Sequence, residues 1–126
     1  KPNESEIGDV LKTEVSKDNL VDILLREPFK DIRYIIASMG KDGAIVKIDN
    51  KVYKANVPEV EAINPVGSGD SSLAGAIYAI SKDKDDIDII KTSMTCGLLN
   101  VLNKEIAHIN MDDFDKYYEQ IEVEEI

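Results

Sequence analysis

The sequence predicts an α/β protein of layered type, with helices covering a sheet. Two observations carry this reading. Short runs rich in β-branched residues alternate with segments whose apolar residues recur every three or four positions, and a glycine turn leads directly into one of those helical segments. With 126 residues and 43% hydrophobic content, the chain can form one domain with a real core, and residues 1–126 are read as such. No internal repeat or low-complexity tract interrupts the succession.

Composition narrows the function classes. The net charge of −10 argues against nucleic acid as a partner, and it disfavours phosphorylated ligands at long range. Any phosphate site must therefore rest on oriented backbone dipoles, magnesium and local cations. A single Cys, Cys96, excludes an internal disulfide, and a single His argues against a zinc site. No apolar run approaches the roughly 18 to 20 residues of a membrane span, and no charged-then-apolar leader is present, so the expectation is a soluble, cytoplasmic protein. The chain starts at Lys1 rather than Met, which leads us to expect a piece of a longer protein.

Taken in order, Lys1-Pro2-Asn3 is extended and Ile7, Val10 and Leu11 then fall at helical spacing. Asn3 is placed to cap that helix, with Glu6 favouring its positive end. Between Lys17 and Arg26, Leu20, Ile23 and Leu24 mark a second short amphipathic helix that Pro28 ends. Tyr34 to Met39 is too short for a core helix and rich enough in β-branched residues for a buried strand. Gly40-Lys41-Asp42-Gly43 turns the chain, and on the residues alone it is an ordinary hairpin turn. Ala44 to Ile48 and Val52 to Val57 are further strands, joined by a hairpin turn at Asp49-Asn50-Lys51.

The stretch Asn64 to Ile80, NPVGSGDSSLAGAIYAI, is the informative one. Asn64-Pro65 halts the preceding segment, because the residue before proline is pushed out of the helical region. Gly67 and Gly69 then permit a turn that most side chains forbid, and a helix begins at Ser68 to Asp70. Leu73, Ala74, Ile77 and Ile80 are expected to face a core, while the small residues Ser71, Ser72, Ala74, Gly75 and Ala76 allow tight helix packing. The first turn's unpaired N–H groups form an anion cradle. The string is not a Walker A loop, since Asp70 stands where Lys is required. A carboxylate there would repel phosphate but suits a general base, taking a proton from a hydroxyl while the amides hold the phosphoryl group it attacks. An ordinary capped helix start remains the other reading of these residues.

Lys82 to Asp88 reads as a charged linker, and a long helix follows from about Ile87 with Ile87, Ile90, Met94, Leu98 and Val101 as its buried stripe. Met94 and Cys96 are packing residues on this reading. His108 is a loop residue without a visible partner. Met111, Phe114, Tyr118 and Ile121 build a last helix, and Ile121 to Ile126 forms an edge strand or an extended tail.

NPVGSGDSSLAGAI resembles the second signature of the ribokinase-like (PfkB) carbohydrate kinases. KPNESE, ASMGKDG and INMDDFDKYYEQIEVEEI resemble the branch of that family containing tagatose-6-phosphate kinase and 1-phosphofructokinase. The resemblance implies a layered ribokinase-like α/β fold, of which this chain is the C-terminal nucleotide-binding portion. The sugar-binding half and lid would lie upstream and supply neighbouring parallel strands. It implies that Asp70 is the base and that the amides of Gly67, Ser68, Gly69 and Asp70 form the anion hole. Ser38, Met39, Gly40, Lys41, Asp42 and Gly43 match the family's S-x-G-x-x-G nucleotide segment, distinct from the dinucleotide fingerprint, and Gly97 and Asn100 would neighbour the nucleotide. For these two, a glycine for close helix packing and a solvated Asn are the alternatives. Asn3 and Glu6 match the family's N-x-x-E motif, which orders magnesium largely through water, whereas Glu4 is off the motif's acidic position. The implied activity is transfer from ATP, with Mg2+, to a ketohexose phosphate. Tagatose 6-phosphate giving the 1,6-bisphosphate comes first, fructose 1-phosphate is the rival acceptor, and an inactive nucleotide-binding module is the alternative for the chain alone. A homodimer of the full-length enzyme is the assembly considered.

Overall fold

The computed structural model describes residues 1–16, 18–60, 67–102 and 111–126, with the backbone alone for Glu4 and Lys41. The expected stop at Asn64-Pro65 and the loop reading of His108 lie outside the described residues. The chain runs α1 (Glu4–Leu11), α2 (Leu20–Leu24), β1 (Tyr34–Ser38), β2 (Ala44–Ile48), β3 (Lys51–Asn56), α3 (Ser68–Ser81), α4 (Asp86–Val101), α5 (Phe114–Tyr118) and β4 (Glu122–Glu125). It divides into two compact units, Lys1–Ala55 with Glu124–Ile126, and Asn56–Val123.

The first unit is built on a four-stranded sheet in the order β1-β2-β3-β4. β1 and β2 pair antiparallel with Ile36 opposite Val46, and β2 and β3 antiparallel with Val46 opposite Tyr53. The second hairpin closes on two residues, Asp49 and Asn50, with Asp49 at φ 54, a left-handed position that Asp tolerates better than most side chains. Ile35, Ala37, Met39, Ile45 and Val52 form one core with Ile7 of α1 and Leu20, Ile23 and Leu24 of α2. Ile36, Val46, Ile48 and Tyr53, which alternate with them, are buried as well. Burial on both faces explains why β1 and β2 read as near-continuous apolar runs rather than alternating ones.

Lys47 is the exception in that run: it is 1% exposed, and its Nζ donates to the Ile32 carbonyl. β4 follows the extended-strand reading of the chain end, sits at the sheet edge and carries exposed Glu122, Glu124 and Glu125. Such charges discourage further strand addition. α2 is shorter than the Lys17 to Arg26 segment expected of it, since the chain leaves the helical conformation at Leu25.

In the second unit α3 packs along α4, and here the expected face of α3 is corrected. Leu73 and Ile77 are 42% and 58% exposed and Ala74 is exposed too, while Ser71, Ser72, Gly75, Ala76 and Ala79 are buried. Only small residues fit the seam. A Cβ on Gly75 would lie 2.8 Å from Cys96 Sγ and 3.0 Å from the Thr92 carbonyl oxygen, so the two backbones approach closely and large side chains are turned away.

α4 is enclosed along most of its length, with Ser93 through Asn100 all buried. Its expected stripe holds at Ile90, Met94 and Leu98 but not at its ends, because Ile87 is 39% exposed and Val101 half-buried. Asp85 caps the helix by accepting from Asp88 N–H at 2.8 Å. The last helix is shorter than its pattern suggested, buries no residue, and leaves Ile121 beyond its end, where that side chain is 2% exposed. The Tyr118 hydroxyl donates to Asp88 Oδ1, which docks α5 on the first turn of α4.

Candidate active site

Two of the sequence motifs meet in the first unit. The Ser38 N–H donates to the Pro2 carbonyl at 3.1 Å, and Asn3 bridges Ser38 in parallel register, so the opening segment runs beside the end of β1. Asn3 and Glu6 form a reciprocal capping box: Asn3 Oδ1 accepts from the Glu6 N–H at 2.8 Å, and Glu6 Oε1 accepts from the Asn3 N–H at 3.1 Å. The capping role read from the sequence is thus realised. Among the described residues there is no group of three or more His, Cys, Asp or Glu that could hold a metal. A hydrated magnesium would need only one or two carboxylates beside water and phosphate oxygens.

The Gly40 to Gly43 segment closes the β1–β2 hairpin as one turn of 3-10 helix. Gly40 at φ 57 and Gly43 at φ 87 hold conformations that favour glycine. The Met39 N–H donates to the Gly43 carbonyl at 2.9 Å, and the Met39 side chain lies in the core. Of this segment, exposed Gly40 and Asp42 present surface to solvent, while Gly43 is buried.

The GSGD turn belongs to the second unit. Gly67 is the N-cap of α3 at φ 85, ψ −2, and no side chain caps the turn. The Ser71 N–H donates to the Gly67 carbonyl at 2.9 Å, so the amides of Ser68, Gly69 and Asp70 precede the first bond of the helix ladder and have no partner within it. Gly67 alone requires glycine: Gly69 stands within the first turn without a positive φ, which corrects the reading that both glycines make the turn. Asp70 is exposed in that same first turn.

Gly97 and Asn100 lie against this helix start. A Cβ on Gly97 would come within 2.1 Å of Ser72 Oγ and 3.2 Å of the Ser68 carbonyl oxygen, the close helix packing that was its alternative reading. Asn100 is not solvated: it is 0% exposed, and its Oδ1 accepts from Ser71 Oγ at 3.2 Å. The Ser93 hydroxyl donates to the Ser72 carbonyl at 2.8 Å. Sequence reasoning did not pair Ser71 with Asn100 or notice Ser93. The signal available was the recurrence of small residues, Ser72, Gly75, Ala76 and Ala79 on one segment and Ser93, Cys96, Gly97 and Asn100 on the other. Burial pushes the Cys96 thiol up from its ordinary range, away from the thiolate form, which accords with a packing residue.

The sequence model of the pfkB family carbohydrate kinases matches residues 1–112. The chain is 38% identical, over its whole length, to tagatose-6-phosphate kinases of two strains of Staphylococcus epidermidis, and it spans 41% of their length. A structure described as a candidate phosphofructokinase of Staphylococcus aureus superposes with TM-score 0.89 at 25% identity, covering 99% of this chain and 40% of that one. Phosphofructokinase-2 of Escherichia coli shares the fold with TM-score 0.81 at 19% identity, over 94% of this chain and 39% of its own. No helix among the described residues is long and apolar enough to cross a membrane. With most of its length matched and the α/β architecture of these sugar kinases, the chain belongs to the pfkB family of carbohydrate kinases.

Proposed function

We propose that this chain carries the nucleotide segment and the general base of a kinase that transfers a phosphoryl group from ATP to a hydroxyl of a ketohexose phosphate. The observation that carries the proposal is the start of α3: a left-handed glycine, no side-chain cap, three amides outside the helix ladder, and an exposed carboxylate in the same turn. Asp70 takes the proton of the acceptor hydroxyl as its oxygen forms a bond to the γ-phosphorus, and the bond from that phosphorus to the leaving ADP oxygen breaks. The amides of Gly67 to Asp70 and the positive end of α3 stabilise the charge on the transferred group. The turn from Ser38 to Gly43 borders the nucleotide. Asn3 and Glu6 would hold magnesium through water, the ion neutralising phosphate charge.

Tagatose 6-phosphate is the acceptor we favour, on the 38% identity to tagatose-6-phosphate kinase across the whole chain. Fructose 1-phosphate is the alternative. The deciding experiment is Asp70→Asn in the full-length protein. Turnover is expected to fall by about 10²- to 10⁴-fold, the range of a lost general base, with ATP affinity changed far less. Retained turnover would mean that Asp70 is only part of an ordinary helix start.

A further inference from the structure

We propose that Asn100 and Ser71 are a positioning pair that sets the orientation of Asp70, a role that rests on the reading of Asp70 as the base. The N-terminal turn of α3 has no side-chain cap at Gly67. α4 holds this turn through three contacts. Ser71 Oγ donates to Asn100 Oδ1 at 3.2 Å, Ser93 Oγ donates to the Ser72 carbonyl at 2.8 Å, and the bare Gly97 lets Ser68 and Ser72 seat directly on α4.

These contacts flank Asp70 on both sides in sequence. With Ser71 and Ser72 held inward, the helical step of about 100° per residue leaves Asp70 turned outward with its neighbours' amides. A rotation of this turn would carry the carboxylate and the amides away together, and misplacement by about 1 Å is enough to slow phosphoryl transfer. Asn100, at 0% exposure, offers no surface to a nucleotide, and its bond from Ser71 is a route from it to this turn.

The test measures kcat and the KM for ATP in the full-length protein for Asn100→Ala, Ser71→Ala, the double variant and Ser71→Thr, with Asp70→Asn alongside. Each alanine variant is expected to lower kcat by on the order of tenfold, the worth of one hydrogen bond and its orientation, while KM for ATP stays within about twofold. The double variant should be no worse than the poorer single one, because both remove the same bond. Ser71→Thr, which keeps the hydroxyl, should recover most of the rate. A rise in KM with kcat preserved in Asn100→Ala would overturn the proposal in favour of direct nucleotide contact, and unchanged kcat in both alanine variants would overturn it outright. Should Asn100→Ala fail to fold, the contrast between Ser71→Ala and Ser71→Thr decides the question in its place. If Asp70→Asn is inactive while the alanine variants are fully active, positioning fails alone; if Asp70→Asn is active, the base reading fails.

Discussion

The helices of the two units pack by different means. In the first, large aliphatic side chains from α1, α2 and three strands interlock, with Ile7, Leu20, Ile23, Leu24, Ile35 and Ile45 in one cluster. In the second, the seam between α3 and α4 is made of serines, glycines, alanines, Cys96 and Asn100, and large apolar residues of α3 point away from it. The first kind of core draws its stability from buried apolar area. The second gives up area for close approach and for hydrogen bonds that fix rotation and register. A cluster of the first kind tolerates adjustment, whereas a seam of the second kind holds its backbones in one relation, which suits the helix that begins at the candidate site.

The sharpest way to break this comparison is to change volume in both places. Leu24→Ala removes a fully buried side chain and is expected to cost about 2–5 kcal/mol, read as a lower urea midpoint. Gly75→Ala adds one methyl group and, although alanine favours a helix by about 1 kcal/mol, should still lose about 1–3 kcal/mol. The new methyl would press on Cys96 and on the Thr92 carbonyl, and backbone yields less readily than a side chain. A stabilised Gly75→Ala protein would show that the helices do not touch as closely as described.

The contrast also explains what is legible in the sequence. In the first unit most elements follow from local signals, Asn3 and Glu6 three residues apart and β-branched runs too short for helices, although the Asp49-Asn50-Lys51 turn closes one residue shorter, with Lys51 already in β3, and α2 is shorter than its pattern. Most large side chains do face the core there, so periodicity mostly points the right way, although Val10 of the α1 pattern is 65% exposed. In α3 the same rule inverts, because Leu73 and Ile77 have the spacing of a buried stripe while serine, glycine and alanine carry the packing.

The GSGD turn is legible as a helix start, yet its two glycines look alike in the sequence and only Gly67 uses the conformational freedom. Asn100 has a solvated reading by default, as a polar residue on a helix. Its partner Ser71 lies 29 positions upstream, a distance that no local pattern spans. The shortness of α5 has a similar cause, since Ile121 is buried by tertiary packing after the helix has ended.

A smaller effect sharpens the same contrast from the outside of α3. Leu73→Gln and Ile77→Gln substitute large apolar residues that are exposed here, and each is expected to change the stability of this chain by no more than about 0.5 kcal/mol. A loss beyond about 1.5 kcal/mol in the urea midpoint would mean that this face is covered by something and that α3 has a second core of the large-residue kind.

The smallest effect at neutral pH belongs to Tyr118, which joins α5 to α4 through its hydroxyl on Asp88 and the Lys91 ammonium over its ring. Burial first, then the hydrogen bond to Asp88 and the charges of Asp88 and Asp85, push its hydroxyl up to about 12. Unfolded tyrosine ionises near about 10. The folded protein therefore holds this proton more tightly than the unfolded chain does, so the contribution is complete below pH of about 10 and is lost as pH rises towards about 12. Absorbance at the tyrosinate band should show a late phase from Tyr118. Tyr118→Phe should remove that late phase and flatten the fall in stability across the same window, with little change at pH 7. Asp88→Asn keeps an acceptor but removes the charge, and should bring the late titration part of the way down. Should Tyr118→Phe leave the absorbance titration unchanged above pH of about 10, the contact between α5 and α4 does not hold in solution, and α5 is anchored through Ile121 instead.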